Sequence, residues 1–495
     1  MRIDFPKTAY LLFIFSLIYY LPAYCDWSPP VRISQAGDCW DPQIIASGDT
    51  LHVVYENTGE RYDKVSYVRS TDAGQSWSPP IRLTERRGNT LFPRIIQNGQ
   101  HLMALWKQEF NTGYYIYNIG YAISSNGGAS WDSAQYVFDQ NWMGMQNMAA
   151  AGAGPNVEVI VGAQVAYDFI YYSLHSTNFG ISWSVSQEMF PCYQSEAPDC
   201  DASEGLLGFV WDGRFDADHS IEIYYTGSSD GGENWSGNFA LSDTDGYHSQ
   251  IPAIDINDSD SVAVCWMDFK YAPQGSATGD IFLRQSSDSG TNWNQINELF
   301  CNHKAFKSDL VANGDTIHIV WEDESHGMFH ATVKYVRSND GGITWSEPLW
   351  LDSTIYHNSR SPALAVSDGR VYAVWNGYRA MPDSSALYFS YSPYEPDDVG
   401  NSGNVNLPIE IELSAYPNPF NSSTIISFSD LEGDEIRIFD IKGSLVRILK
   451  PEQKMNGSII WDATDNGGQR VSSGIYFAGA TSQENSKTIK LIYLK

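Results

Sequence analysis

Four carboxylates stand at the ends of a repeated apolar strand, where side chains of this type can do acid–base chemistry. They are Glu56 in "LHVVYEN", Asp212 in "LLGFVWDG", Asp268 in "VAVCWMD" and Glu322 in "IHIVWEDE". Three further copies, "HLMALWKQ", "VEVIVGAQ" and "VYAVWNG", place Lys107, Gln164 and Asn376 there. A protonated carboxyl and an ionised one, set on either side of a glycosidic bond, are the reagents of glycoside hydrolysis. Arginine adds recognition of an anionic ligand, and Arg94, Arg214, Arg360 and Arg379 lie close to these strand ends or on the loops beyond them. Those loops, such as "KQEFNTGYYIYN" and "DFKYAPQGSATGD", are polar and aromatic, as sugar-stacking surfaces are. The plainer alternative is that the acids cap strand ends while Trp and Tyr fill gaps between sheets.

The strands that position these groups belong to a longer repeat. An octapeptide returns six times, at 70, 124, 176, 228, 286 and 338, with the pattern Ser-x-(Asp/Asn)-x-Gly-x-x-Trp. Its Asp or Asn (Asp72, Asn126, Asn178, Asp230, Asp288, Asp340) accepts backbone N–H groups of a turn. Its Gly takes a positive φ without steric cost. Its Trp (Trp77, Trp131, Trp183, Trp235, Trp293, Trp345) covers the hairpin with a large apolar face. These residues are therefore read as structural. Four strands in each repeat of about 50 residues are the signature of a propeller blade.

The apolar strand occurs seven times and the octapeptide six. The last unit ends at "ALYFSYS" with three strands, and "WSPPVRIS" near the N-terminus matches the "WSPPIRLT" that follows the first octapeptide. The expected fold is thus all-β: a seven-bladed β-propeller whose N-terminal strand closes the last blade, followed by a small immunoglobulin-like β-sandwich. The expected domains are a signal peptide at 1–25, the propeller at 26–392, a Pro-, Gly- and acid-rich linker at 393–410, and the sandwich at 411–495.

Composition narrows the function. With 59 acidic and 30 basic residues the formal net charge is −29, which excludes a nucleic-acid partner and docking on anionic lipid. Arg2 and Lys7 precede a short apolar run that ends at Ala23-Tyr24-Cys25, an export signal with cleavage before Asp26. No later stretch is long and apolar enough to span a bilayer. Cleavage leaves Cys39, Cys192, Cys200, Cys265 and Cys301, an odd set in which Cys192 and Cys200 flank one loop and could bridge. No metal site and no cofactor is expected: there is no C-x-x-C pair, His326 and His330 near Glu324 are not on a helix, and "DINDSDS" has only weak calcium character. "GSSDG" at 227–231 lies inside an octapeptide turn, not on a nucleophile elbow.

The octapeptides resemble the Asp-box, or BNR, repeats of sialidases and related propellers, over residues 27–392. For the fold this resemblance is specific; for activity it is not, because non-enzymes also carry these boxes. Against the sialidase pattern, Arg94 in "LFPRII" follows its Pro rather than preceding it by two. The nearest Arg-x-Pro spacing is Arg360-Ser-Pro362, and seven units replace the usual six. The C-terminal residues "AYPNPFNSSTIISF", "EIRIFDIKGSLVRIL", "WDATDNGGQRVSSGIYF" and "KTIKLIYLK" resemble the type A sorting domain of type IX secretion. That domain is itself similar to the immunoglobulin-like domain of the flagellar hook-capping protein. The resemblance implies a secreted or outer-membrane-surface protein of a two-membrane bacterium, partnered in transit by the type IX machinery. The expected ligand is an extracellular glycan or other polymer bound by a monomer, with a sialidase-like glycoside hydrolase and a protein-interaction scaffold as alternatives.

Overall fold

A computed structural model describes residues 27–34, 39–58, 63–84, 88–111, 115–138, 142–165, 168–192, 195, 197–214, 219–257, 259–299, 301–327, 330–352, 358–378, 385–392, 412–416, 418–429, 435–450, 457–481 and 486–494. The proposed signal peptide, the linker and Arg379 lie outside them. Among the described residues every regular element is a strand, and no helix is long and apolar enough to cross a membrane. The chain divides into two compact units, Met1–Pro396 and Asp397–Lys495.

The first unit holds seven antiparallel sheets among its described residues, one of five strands and six of four. Their inner strands are, in order, Cys39–Ser47, Thr90–Asn98, Met145–Ala153, Asp199–Ala202, Ser249–Ile256, Ala305–Asn313 and Arg360–Ser367. We number the sheets 1 to 7 after them. Each inner strand touches the next, and that of sheet 7 touches that of sheet 1. In sheet 7 the outer strand is Val31–Arg32, with Val31 opposite Phe389 and Arg32 opposite Tyr388.

Second strands such as Thr50–Asn57, Val262–Asp268 and Thr316–Asp323 are buried on both faces. A continuous apolar run bounded by turns produces such a strand when a neighbouring sheet covers each face. Tyr55, Trp106, Trp211, Trp266, Trp321 and Trp375 fill this layer, each at most 1% exposed.

The octapeptides form six copies of one turn. The Asp or Asn Oδ1 accepts the amide four residues on at 2.8 or 2.9 Å. The Ser hydroxyl accepts the Gly amide at 2.8 or 2.9 Å. The Gly lies at positive φ, as at Gly128 (φ 78°). A Cβ there would also overlap the Tyr67 ring of the preceding sheet. Hydrogen bonds from Ser76 and Ser70 hold the Asp72 carboxyl below the usual range. Asp72→Ala removes them from one exposed turn, so the melting temperature should fall by only about 1–3 °C in a fluorimetric scan; a fall above 10 °C would show the turn to be a keystone instead.

Cys39, Cys200, Cys265 and Cys301 are buried free thiols. The bridge considered between Cys192 and Cys200 is thus not formed, Cys200 lying inside the sheet 3–4 core.

The second unit pairs Glu412–Tyr416, Thr424–Ser429 and Gly457–Trp461 in one sheet. Leu445–Leu449, Ile436–Asp440, Gly474–Thr481 and Ser486–Tyr493 form another. Phe420, Ile426, Ile438, Trp461, Leu491 and Tyr493, all at most 3% exposed, make its core.

Candidate functional site

The site is built on bulges in the inner strands. In sheets 1, 2, 5 and 7 the residue before a Pro is pushed out of register: Asp41, Phe92, Ile251 and Ser361. Their φ angles are 43°, 55°, 55° and 49°, and Lys307 of the sheet 6 bulge has φ 20°. Non-glycine residues rarely adopt this region, and each costs of order 1–3 kcal/mol unless the surroundings hold it.

The holding groups are three of the four candidate catalytic carboxylates. Glu56 Oε1 accepts the Phe92 amide at 2.7 Å. Glu322 Oε1 accepts the Ser361 amide at 2.7 Å. Asp212 Oδ2 accepts the Ile251 amide at 3.4 Å, while its Oδ1 takes Ala197 N–H at 3.0 Å and Ser195 O–H at 3.2 Å. Each acid thus ties its sheet to the next. Lys107 does the same with opposite polarity, donating to Gln146 O at 2.9 Å. Its Nζ also lies 4.4 Å from the Tyr117 ring centroid, and burial lowers its pKa to about 8.

Asp268 stands apart from the other three. The residue of sheet 5 that matches Glu56 in register is Met267, opposite Gln250, as Glu56 is opposite Trp40. Asp268 is one residue further along and so faces the other side of the sheet. There it accepts Ser249 O–H at 2.7 Å, Trp266 Nε1–H at 3.1 Å and Lys270 N–H at 2.8 Å. Gln164 is exposed. Asn376 is buried, with no hydrogen-bond partner for its side-chain amide among the described residues.

The bulges bring together a cluster that the strand-end pattern did not single out. Lys307 Nζ lies 2.6 Å from Asp41 Oδ1 and 3.3 Å from Ser361 Oγ, and Ser361 Oγ is 3.1 Å from Asp41 Oδ1. The Asp41 and Lys307 side chains are 27% and 36% exposed, so the cluster reaches solvent. The Lys307 ammonium beside Asp41 holds its carboxyl below the usual range despite burial. Burial works against the Lys307 charge, but Asp41 outweighs it and its pKa is raised. The positive charge of Arg94, half-buried on the sheet 2 inner strand, acts on both. Arg360 completes the seam, bound to Glu322 at 3.0 Å and Glu324 at 3.1 Å. Trp40, the residue before Asp41, meets Tyr378 edge-on at 5.9 Å. Glu56 has the opposite character from Asp41. Burial and the nearby Asp41 charge push it up to about 8, so it holds its proton at neutral pH. Arg214 follows directly on the second strand of sheet 4 and is half-buried.

The sequence signal for this cluster is the recurrent X-Pro of the inner strands, "DPQII", "FPRII", "QIPAI" and "RSPAL", whose X is the bulged residue. Lys307 lacks that mark.

A second set of acids follows the inner strands. Asp199, Asp201, Asp255 and Asp309 accept the amides of Ile254, Ile256, Ala312 and Leu364 on the next inner strand, at 3.2, 2.7, 2.8 and 2.7 Å. Protein surrounds these half-buried side chains closely enough that burial raises all four pKa values, Asp201 and Asp309 to about 7.

Residues 414–494 match the family of secretion system C-terminal sorting domains. That match signals type IX secretion, with the cell surface or the extracellular space as destination. No curated protein matches the chain. Among solved structures, polysaccharide lyase Uly1 superposes with TM-score 0.50 at 10% identity, over 73% of this chain and 90% of that one. A Dyadobacter fermentans protein of unknown function gives 0.47 at 11% identity, over 74% and 98%. The phage phi92 endosialidase gives 0.47 at 10% identity, over 94% and 87%. The first of these likenesses establishes a shared fold and nothing about chemistry.

Proposed function

We propose that this secreted protein is a glycan-binding, seven-bladed β-propeller at 26–392, joined by a linker at 393–410 to an immunoglobulin-like sorting domain at 411–495. In this reading sheets 1 to 7 are the blades, and residues 27–34 complete the seventh. The observation that carries it is the convergence of Asp41, Lys307 and Ser361, from three different sheets, within the electrostatic reach of Arg94 from a fourth. Paired charges and a hydroxyl suit a polyhydroxylated ligand that carries acidic groups.

The test is retention of a panel of acidic and neutral polysaccharides on the immobilised protein. Acidic members should be retained, and Arg94→Met and Lys307→Met should each weaken retention at least tenfold. Equal retention by both variants would sink the assignment, and retention of no glycan would favour a protein ligand.

One observation favours a catalytic variant of this reading. Asp41 is ionised and Glu56 protonated at neutral pH, the division of labour that acid–base cleavage of a glycosidic bond needs. In that case oligosaccharide products appear in mass spectra of the same incubations. Glu56→Gln, which keeps an acceptor for the Phe92 amide, should then abolish them by at least 100-fold.

A further inference from the structure

At the junction of sheets 1 and 2, two side chains close the groove beside the octapeptide turn. His52 and Arg69 are cross-strand partners in sheet 1. His52 Nδ1 lies 2.6 Å from the Tyr67 hydroxyl, and Arg69 Nη1 donates to the carbonyl of Gly127, in the turn of sheet 2, at 2.7 Å. Sheet 6 repeats the set: His318 is opposite Arg337, and its Nδ1 lies 2.7 Å from the Tyr335 hydroxyl. Sheet 5 departs from it. Its register places Ala263 and Gln285 where sheet 1 has His52 and Arg69, and Leu283 where sheet 1 has Tyr67. Gly341, in the turn of sheet 6, matches Gly127. The Gln285 side chain makes no hydrogen bond to it or to any other described residue.

A cavity of ≈ 520 Å³ opens at the junction of sheets 5 and 6, with Ala263, Gln285 and Gly341 in its lining. Small-molecule sites commonly measure about 300–1,000 Å³. Spare polar groups stand around it. Asn294 Oδ1 accepts the backbone N–H of Gln285 at 2.9 Å, a bond that the Ser78 and Ser346 hydroxyls accept in sheets 1 and 6. The asparagine thus closes the turn with its oxygen and keeps Nδ2 spare. Asn257 Oδ1 likewise accepts the amides of Ser259 and Ser261 at 2.9 and 3.2 Å and leaves its own Nδ2 spare. The Asp315 carboxylate, exposed on the sheet 6 hairpin, has no partner among the described residues. Asp288 differs, because Ser286 O–H and the backbone and side-chain N–H groups of Asn292 occupy both of its oxygens. Trp293 donates its N–H to Gly290 O at 2.9 Å, so what it adds to the lining is ring surface. Among the described residues no Lys, Arg or His lines the cavity.

We infer that the groove between sheets 5 and 6, left open by Ala263 and Gln285, is a binding site for a neutral saccharide unit. Sugar hydroxyls both donate and accept hydrogen bonds, so they need both kinds of partner. Asn257 and Asn294 supply donors, Gln285 supplies one of each, and the Asp315 carboxylate accepts charge-assisted bonds from neighbouring hydroxyls. Trp293 gives the apolar C–H face of a sugar ring something to lie on. A uronic or sialic acid would bring its charge towards Asp315 with no cation to offset it. The preference is therefore opposite to that of the proposed glycan seam. No residue of that seam lines the groove, and the inference does not depend on it.

Isothermal titration of the full secreted chain at pH 7 with cellobiose, maltose, lactose and xylobiose tests the inference. At least one of these neutral sugars should bind at millimolar or better affinity, and neither glucuronic acid nor triglycine should displace it. Asp315→Ala should weaken binding at least tenfold. Gln285→Arg gives sheet 5 the arginine with which sheet 1 reaches the next turn. It should close the groove and weaken binding at least tenfold, with the melting temperature unchanged. The inference is overturned if no neutral sugar binds at 20 mM, or if both variants are folded and bind like the parent. Displacement by triglycine would overturn it in favour of a peptide groove. Loss of neutral-sugar binding in Lys307→Met would overturn it too, by placing that binding in the seam.

Discussion

Removal of residues 27–34 is expected to leave the first unit unfolded, or to lower its melting temperature by more than 10 °C. Only Val31 and Arg32 count as strand, but the segment does much more. Ser28 N–H donates to Tyr391 O at 2.9 Å and Ile33 N–H to Leu387 O at 2.9 Å. The Ser34 hydroxyl accepts the Leu387 amide at 2.9 Å. Trp27, 4% exposed, packs on Tyr335 within the cluster that joins sheets 6 and 7, and Ile33, 6% exposed, lies in the sheet 7–1 core. Burying these two side chains contributes about 2–3 kcal/mol each, and the hydrogen bonds about 1 kcal/mol each. The sum is a large share of the roughly 5–15 kcal/mol that holds a domain together. Calorimetry of the truncated and intact chains checks it. A peptide of residues 26–38 added in trans should restore part of the lost stability; a truncation with unchanged melting would mean that the strand only decorates sheet 7.

The second large effect is on the pH dependence of stability. Burial is the first cause that raises Asp199, Asp201, Asp255, Asp309, Glu56, Glu158 and Glu322, of which Asp201, Asp309 and Glu158 reach about 7 and Glu56 about 8. A carboxyl whose folded pKa lies above its unfolded value near 4 favours the fold fully below that value, and loses this contribution as pH rises through 7 to 8. The turn acids Asp72, Asp230, Asp288 and Asp340 are shifted the other way, chiefly by side-chain hydrogen bonds from Ser76, Asn234, Asn292 and Thr344. Their contribution is present above about 4 and is lost in stronger acid. Stability should therefore peak near pH 4, and the melting temperature should fall by about 5 °C or more between pH 5.5 and 8.5. Asp309→Asn keeps an acceptor for the Leu364 amide and should flatten the alkaline limb. A melting temperature that rises over this range would contradict the buried-acid account.

Much of the architecture was legible in the chain because it is written in contiguous residues. Ser-x-(Asp/Asn)-x-Gly-x-x-Trp closes its own turn through bonds spanning two to four positions, so six turns and their spacing follow from reading along the sequence. The count of seven apolar strands against six turns pointed to "WSPPVRIS" as the missing strand, and Val31–Arg32 lies beside Ala386–Ser392. The C-terminal motifs likewise run along single strands and turns, and residues 414–494 match a sorting domain.

The site was less legible. Strand-end position marked Glu56, Asp212 and Glu322, but not that each bonds an amide of the following sheet. Asp268 reads like Glu322 until the register is known, and one residue of offset turns it to the opposite face. Asp41 and Lys307 are 266 positions apart, and Asp41 and Ser361 320; no local pattern relates them. Their meeting depends on bulges that turn inner-strand side chains aside and on the order in which the sheets pack. Turns are encoded by what a residue can do with its neighbours in the chain. A binding cluster is encoded by which strands end up side by side, and only the tertiary structure decides that.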